Sequence, residues 1–470
     1  MSNINKLLNE LKNNYYDQGI YDYARQFEKF SYGELVKRVE EEAGYWEELG
    51  VRKGSCVLFI LPTSIDLLIH ILAVLKIGAT PSPISNVQSS VGYSYIQENL
   101  KPFLIYTTNK KIEISVNFQE TKHCFADKGR LFCCSDNQYN EIYKNSIVLT
   151  SSGSTGYPKS ILHYADNIIL NAQLHMEAIG EKPGGTYLSS LQAFFSYGLV
   201  AGIIGSLTMG KNIVMPERPF YPNTWFEYCQ RFDITLSSMT PGLLKKLLRL
   251  DEPFPASLKK ITIGGERADF NDIEILRSKY KGDIYLTYGL SEAGPRVCTN
   301  EILDTNKNEW QFMGTPMSGV DIRIMDDMDS GELLIFTPTL MRGYVEKGNL
   351  LCNHSSGIMN GNWLRTGDIC IKRNNHYLYV ERAKKIIKCN GEMIFPALIR
   401  NVIMEHEEID DAVVVAKPNE AMGYEPIAYI KLKDGVRAIP DLKRHCSKKL
   451  RLLEIPREFI VSDKIENFKK

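Results

Sequence analysis

Short apolar runs, each leading into a stretch of helical character, recur from residue 56 to residue 287. Cys56-Val57-Leu58-Phe59-Ile60-Leu61 is the clearest. An apolar run of this length with no polar alternation is the pattern of a strand buried on both faces. Further strands are expected at Phe103–Tyr106, Ile147–Leu149, Asn212–Met215, Thr235–Ser238, Ile261–Ile263 and Ile284–Thr287. Strands that alternate with helices predict α/β layers built on parallel sheets. Two helices are legible in detail. Ser31 caps a helix whose third residue is Glu34, a capping box, and Leu35, Val39, Ala43 and Trp46 follow on one face. Residues 64–77 hold the most hydrophobic window, Leu67 to Leu75, which is too short to span a bilayer and reads as a buried helix stopped by Thr80-Pro81-Ser82-Pro83.

The pattern changes after about residue 310. Val320–Ile324, Glu332–Phe336 and His376–Val380 read as strands between turns, hence a small β-rich unit. From about residue 385 a helix at Pro396–His406, strands at Ala412–Ala416 and Ile427–Leu432 and a helix at Asp441–Leu453 suffice for a small α+β domain. At 470 residues the chain exceeds one ordinary domain. Its formal net charge is zero, so no global field draws nucleic acid or an anionic membrane. Ten scattered cysteines without a CxxC pair read as reduced thiols, and the N-terminus lacks the apolar core of a signal peptide; a cytoplasmic location is expected.

Thr150-Ser151-Ser152-Gly153-Ser154-Thr155-Gly156-Tyr157-Pro158-Lys159 follows the run Ile147–Leu149. Hydroxyls, glycine backbone N–H groups and one cation after a strand suit a polyphosphate. Pro158 before Lys159 separates the stretch from a P-loop, and alone it reads more readily as a Gly/Ser-rich surface turn. Five later stretches follow in order: Ile263-Gly264-Gly265-Glu266; Leu286-Thr287-Tyr288-Gly289-Leu290-Ser291-Glu292; Trp363-Leu364-Arg365-Thr366-Gly367-Asp368; Tyr379 through Arg382, Lys384 and Lys388 to Gly391; and Ile394-Phe395-Pro396. Each alone is a turn, a hairpin tip or a solvated lysine run. Together, in this order and spacing, they resemble the adenylate-forming superfamily of acyl-CoA synthetases, adenylation domains and beetle luciferases.

The resemblance covers essentially the whole chain. It implies a large N-terminal domain (residues 1–383) of two stacked α/β sheets plus the small β unit at about 310–383, then a small mobile α+β domain (residues 384–470). The implied chemistry has two steps: a carboxylate attacks the α-phosphorus of ATP and expels pyrophosphate, and a thiol then attacks the acyl-adenylate. Both nucleophiles are substrates, so catalysis rests on positioning and on neutralising phosphate charge. By resemblance Ser151, Ser152, Gly153, Ser154, Thr155, Gly156 and Lys159 wrap the β- and γ-phosphates. Glu292 is the Mg²⁺ ligand and Ser291 bonds the α-phosphate. Tyr288 and Gly289 lie on one side of the adenine and Gly264, Gly265 and Glu266 on the other. Asp368 accepts the ribose hydroxyls, with Arg382 steadying the nucleotide. Lys384 is the hinge, and Lys388 lies in the segment lining a thiol tunnel. Lysine at 384 and Pro396 are more like the CoA-ligase branch than the peptide-synthetase branch. The implied acceptor is CoA, with the phosphopantetheine of an acyl or peptidyl carrier protein as the alternative.

Two departures stand out. The family's C-terminal Pro-x-Thr-x-x-Gly-Lys is replaced by Val461-Ser462-Asp463-Lys464-Ile465-Glu466-Asn467-Phe468-Lys469-Lys470. Lys470 or Lys469 is then the candidate for the lysine that bonds the reacting carboxylate. The alternatives are a basic tail without that role, a truncated end, or a nucleotide-binding protein that has lost catalysis. The other departure is Leu191 to Leu199, which has Phe195 where CoA ligases commonly have histidine and no aspartate for a substrate ammonium. This argues for an apolar acyl or aryl acid over an α-amino acid, with Phe195, Tyr197 and Gly198 bordering its pocket or else packing as core.

Overall fold

The computed structural model describes residues 2–470 except 88, 113, 115–117, 123–124, 126–128, 135–138, 153–157, 218–219, 305–306, 353–356, 360, 375, 383–386, 390–391, 395, 420, 434, 437–438, 463–464 and 466–470, and leaves out the side chains of 152, 308, 380–382, 388, 393, 397–398 and 401. A large α/β region is followed by a smaller α+β region, as the alternation of runs and helices leads one to expect. The largest sheet has six parallel strands side by side: Asp283–Tyr288, Lys260–Gly264, Leu236–Met239, Thr186–Leu188, Asn212–Met215 and Gly19–Asp22. Lys29–Ser31 adds an antiparallel edge at one end, and Cys298–Glu301 with Thr315–Pro316 does so at the other. Side chains alternate between two cores: Tyr187 and Ile213 enter one, Leu188 and Val214 the other. Both faces are therefore covered, and that is why these strands read as unbroken apolar runs.

The second sheet is built on parallel Thr80–Ile84, Cys56–Ile60 and Leu104–Thr107, extended by antiparallel Arg130–Cys134 and Phe118–Thr121. Between the two sheets lie the helices Asn3–Asn13, Tyr32–Glu48 and Ile65–Ile77. Both hydrogen bonds of the Ser31–Glu34 capping box form. Losing such a cap costs about 0.5–2 kcal/mol. Among the described residues no helix is long and apolar enough to cross a membrane. The nine described cysteines are all free thiols.

Several expectations need correction. Thr80-Pro81-Ser82-Pro83 does stop the helix, but it is also a buried strand at the edge of its sheet. Thr80 N–H donates to Ser55 O at 2.9 Å. By the two-residue period 82 and 84 face the same way, so both prolines point their missing donors away from the ladder. Ile147–Leu149 is not a parallel strand. It lies within Ser146–Ser152, paired antiparallel with Pro158–Tyr164, so the hydroxyl-rich stretch joins two strands of a hairpin. Gly343–Glu346 then pairs with Pro158–Tyr164, which places a segment from the C-terminal side of residue 310 beside that hairpin. A separate antiparallel sheet holds Asp321–Ile324, Ser330–Phe336, Trp363–Arg373 and His376–Arg382. In the C-terminal region the helix at 396 ends at Met404, and the one expected over 441–453 is confined to Leu442–Ser447. Ile409–Asn419 and Gly423–Leu432 form an antiparallel ribbon there.

Candidate active site

The carboxyl ends of neighbouring parallel strands bring the first group together, the usual place for a ligand crevice in a sheet of this kind. Lys260–Gly264 ends at Gly264, and Asp283–Tyr288 ends at Tyr288. A Cβ on Gly264 would lie 2.3 Å from Thr287 Oγ1, and one on Gly289 would lie 1.9 Å from Pro295 O. Only glycine lets the chain pass there. Gly265 differs: with φ at +86° its missing Cβ faces open space, with nothing nearer than Thr240 Cγ2 at 4.0 Å. Glu266 beside it is half-buried.

Tyr288 donates its hydroxyl hydrogen to Asp368 Oδ2 at 2.6 Å. Asp368 is itself buried, on the strand Trp363–Arg373. Burial and the Asp368 charge together push the Tyr288 hydroxyl well above the usual phenol range, so it remains a donor. The turn before Asp368 is held by Thr366 Oγ1 donating to Leu333 O at 2.8 Å and by Gly367 N–H donating to Glu332 Oε1 at 2.9 Å. Arg382 faces Asp368 in register on the antiparallel strand His376–Arg382.

A short helical turn, Ser291–Ala293, follows Tyr288 and carries the second group. Glu292 is buried, and Oε1 accepts from Tyr344 Oη at 2.9 Å. Lys159 Nζ donates to the same Tyr344 oxygen at 3.1 Å and lies 4.2 Å from the ring centroid. Lys159 and Tyr344 come from the adjacent strands Pro158–Tyr164 and Gly343–Glu346. A cation, a phenol and a carboxylate thus form one polar chain. Ser291 Oγ meets Ser196 Oγ at 2.8 Å, and His163 Nε2 donates to Ser291 O at 2.8 Å. Burial pushes His163 down to about 4, so it is neutral near pH 7.

Thr150 makes an isolated bridge to Phe195, so the 195–198 segment lies beside the strand that leads to the hydroxyl-rich stretch. Phe195 is half-buried against Phe194. Tyr197 is buried with its hydroxyl 2.8 Å from Thr262 Oγ1, and Gly198 is packed so that a Cβ would lie 2.3 Å from Gln192 O. Ser151 Oγ is buried with no hydrogen-bond partner among the described residues. Ser152 ends its strand, and Lys388 lies on the strand Ile387–Cys389. Gly153, Ser154, Thr155, Gly156, Lys384, Lys469 and Lys470 fall outside the described residues. Tyr344, Ser196, His163 and Arg296 were not singled out from the sequence. Arg296, alone among Val297 and Cys298 just after Glu292, was the one with a local signal, a charge inside an apolar strand entry.

The donor set fits a nucleotide with a hard cation. Asp368 supplies a carboxylate beside Tyr288, and Glu292 and Lys159 supply opposite charges one short turn further on. Among the described residues no cluster of three or more His, Cys, Asp or Glu could cage a metal. A Mg²⁺ held by one carboxylate plus phosphate oxygens needs none.

Comparison with known proteins gives the same answer. Residues 12–345, more than half of the chain, match the AMP-binding enzyme family, and residues 399–469 match the AMP-binding enzyme C-terminal domain. Peroxisomal OPC-8:0-CoA ligase 1 of Arabidopsis thaliana is 25% identical over 442 residues, 87% of this chain and 80% of the relative. The 2-succinylbenzoate–CoA ligase of Bacillus licheniformis is 23% identical, covering 93% and 92%. Among solved structures, o-succinylbenzoate CoA synthetase from Bacillus subtilis superposes with a TM-score of 0.83 at 20% identity, covering 99% of this chain and 95% of that one. The amide bond synthetase McbA from Marinactinospora thermotolerans gives 0.78 at 18% identity, covering 100% and 99%. The chain belongs to the AMP-binding enzyme family of acyl-activating, adenylate-forming enzymes.

Proposed function

We propose that this enzyme activates a carboxylic acid as its acyl-adenylate and transfers the acyl group to the thiol of CoA. The carrying observation is the Lys159–Tyr344–Glu292 chain one short turn beyond the Tyr288–Asp368 pair. Charge for phosphates and an acceptor for a sugar then stand at the two ends of one five-residue segment. Lys159 and the hydroxyls at 151–155 hold the departing pyrophosphate, and Ser291 bonds the α-phosphate. Glu292 holds the Mg²⁺, which neutralises phosphate charge when bound. Asp368 and Arg382 fix the ribose, while Gly264, Gly265, Glu266, Tyr288 and Gly289 frame the base. The acid's apolar body lies against Phe195, Tyr197 and Gly198.

In the first step the substrate carboxylate oxygen bonds to the α-phosphorus and the bond to pyrophosphate breaks. Lys470, or Lys469, steadies the attacking carboxylate. In the second, the thiol sulfur adds to the acyl carbonyl and AMP leaves; Lys384 serves as the hinge and the Lys388 strand borders the thiol path. The names of the CoA ligases matched above support CoA as acceptor. The test is thiol-dependent discharge of preformed acyl-adenylate. Rapid AMP release with CoA supports the reading. Release only with a phosphopantetheinylated carrier protein, or with neither, overturns the CoA step. Deleting Lys469 and Lys470 is expected to slow adenylation by about 100-fold or more, as for loss of one transition-state donor; an unchanged rate removes them from the mechanism.

A further inference from the structure

Arg296 is a buried charge in this neighbourhood to which the proposed roles give no task. It is only 2% exposed, yet Nε and Nη2 have no hydrogen-bond partner among the described residues, and no described carboxylate lies within ion-pair distance. Burial alone pulls this guanidinium below its ordinary range. An uncompensated buried cation is costly, and such charges are normally paired. The structure nonetheless holds the residue firmly by its backbone. Arg296 N–H donates to Asn171 Oδ1 at 3.0 Å, and Asn171 Nδ2 donates back to Arg296 O at 3.0 Å. The backbone at Arg296 is therefore fixed independently of its side chain, whose guanidinium meets the face of the Tyr197 ring but no described acceptor at Nε or Nη2.

Its surroundings belong to the site. The guanidinium carbon lies 4.9 Å from the Tyr197 ring centroid. Tyr197 Cε1 comes within 3.2 Å of where a Gly264 Cβ would stand. Arg296 Cα is 3.1 Å from the missing Cβ of Gly289. His175, one helical turn beyond Asn171, is buried with Nδ1 unpartnered and is pushed down to about 3 by burial and by the Arg296 charge. Neighbouring Cys298 offers no counter-charge, because burial raises its thiol far above neutrality. One buried cation against the Tyr197 ring and one imidazole with an unpartnered Nδ1 thus lie near each other, with no described anion to meet them.

We propose that Arg296 receives a second carboxylate at the far end of the acid substrate, so that the enzyme activates an acid with an apolar middle and two carboxylate ends. The inference rests on the carboxylate-activating reading above and specifies its substrate class. The near carboxylate reacts with ATP. The far one replaces the missing partner of the guanidinium, and the substrate supplies the desolvated charge pair that the fold lacks.

The experiment is carboxylate-dependent exchange of labelled pyrophosphate into ATP, run with straight-chain and aryl monoacids and with dicarboxylates of matched length. The wild type is expected to favour the best dicarboxylate over its monoacid counterpart by roughly 10- to 100-fold in kcat/KM, the range of one hydrogen-bonded charge pair. Arg296→Met is expected to erase or invert that preference, and Arg296→Lys to retain part of it. Arg296→Met is also expected to melt at the same temperature as wild type or higher, because it removes an unpaired buried charge; a structural arginine would lose stability. A wild type that prefers monoacids, or an Arg296→Met that slows both classes equally and melts lower, overturns this inference alone. No exchange with any acid while ATP still binds overturns the carboxylate-activating reading with it.

Discussion

Replacing Tyr344 with phenylalanine tests the polar chain at its centre. The substitution removes one hydroxyl that donates to Glu292 at 2.9 Å and accepts from Lys159 at 3.1 Å. The ring remains, so Lys159 keeps its contact with the aromatic face. A hydrogen bond to a charged group contributes about 1.5–3 kcal/mol, and Glu292 is buried, so the lost donor is not readily replaced by water. Apparent stability should fall by about 1–3 kcal/mol in urea titrations. Function should fall further, because Tyr344 sets the direction of the carboxylate proposed to hold Mg²⁺. Loss of a partner that orients a metal ligand typically costs 10- to 100-fold in metal affinity. The assay is the Mg²⁺ dependence of ATP binding and of pyrophosphate exchange, in Tyr344→Phe, Lys159→Met and the double variant. The chain predicts that the double variant loses less than the sum of the singles, with a coupling of about 0.5–3 kcal/mol. Additive effects, or a Tyr344→Phe protein within twofold of wild type in Mg²⁺ dependence, would refute the reasoning.

Gly289→Ala must displace the Pro295 carbonyl from 1.9 Å and is expected to lower both apparent stability, by about 1–3 kcal/mol, and nucleotide affinity; calorimetric melting with and without AMP reads both. Asp368→Asn keeps an acceptor for Tyr288 but removes the charge, and AMP affinity by titration calorimetry should drop roughly 10- to 100-fold. His163 and His175 are depressed to about 4 and about 3 in the folded protein against an ordinary 6.5. Their stabilising contribution is therefore complete above pH 6.5. It is lost as pH falls toward 4, where the unfolded chain binds protons that the folded one refuses. Each contributes a slope of up to about 1.4 kcal/mol per pH unit in that window. Urea unfolding at pH 7, 6 and 5 should show it, and His163→Gln should remove about one proton's share; an unchanged slope would show that His163 titrates normally in the fold.

Much of the scaffold was legible because its signals are local. Asn212–Met215 forms the strand expected of it, and the Ser31–Glu34 box starts its helix where the spacing places it. What failed was partner choice, which no local window contains. Ile147–Leu149 has the apolar content of a parallel strand, yet its neighbours are Pro158–Tyr164 and, on that strand's far side, Gly343–Glu346. Thr80–Ile84 carries two prolines that argue against a strand unless it lies at an edge, and edge position is a tertiary fact. The same limit hid half the site. Tyr344 is one aromatic in a short strand, and only long-range pairing sets it between Lys159 and Glu292, residues that the motifs did identify. Arg296 becomes conspicuous only when burial and the absence of a described partner are seen together.

The central claim, that this site joins ATP to a carboxylic acid, is tested most directly by exchange of labelled pyrophosphate into ATP in the presence of a panel of fatty, aryl, dicarboxylic and amino acids. The account predicts Mg²⁺-dependent exchange that requires an acid, is strongest outside the α-amino acids, and collapses in Glu292→Gln. Exchange without any acid, or none with the whole panel while ATP remains bound, would contradict it.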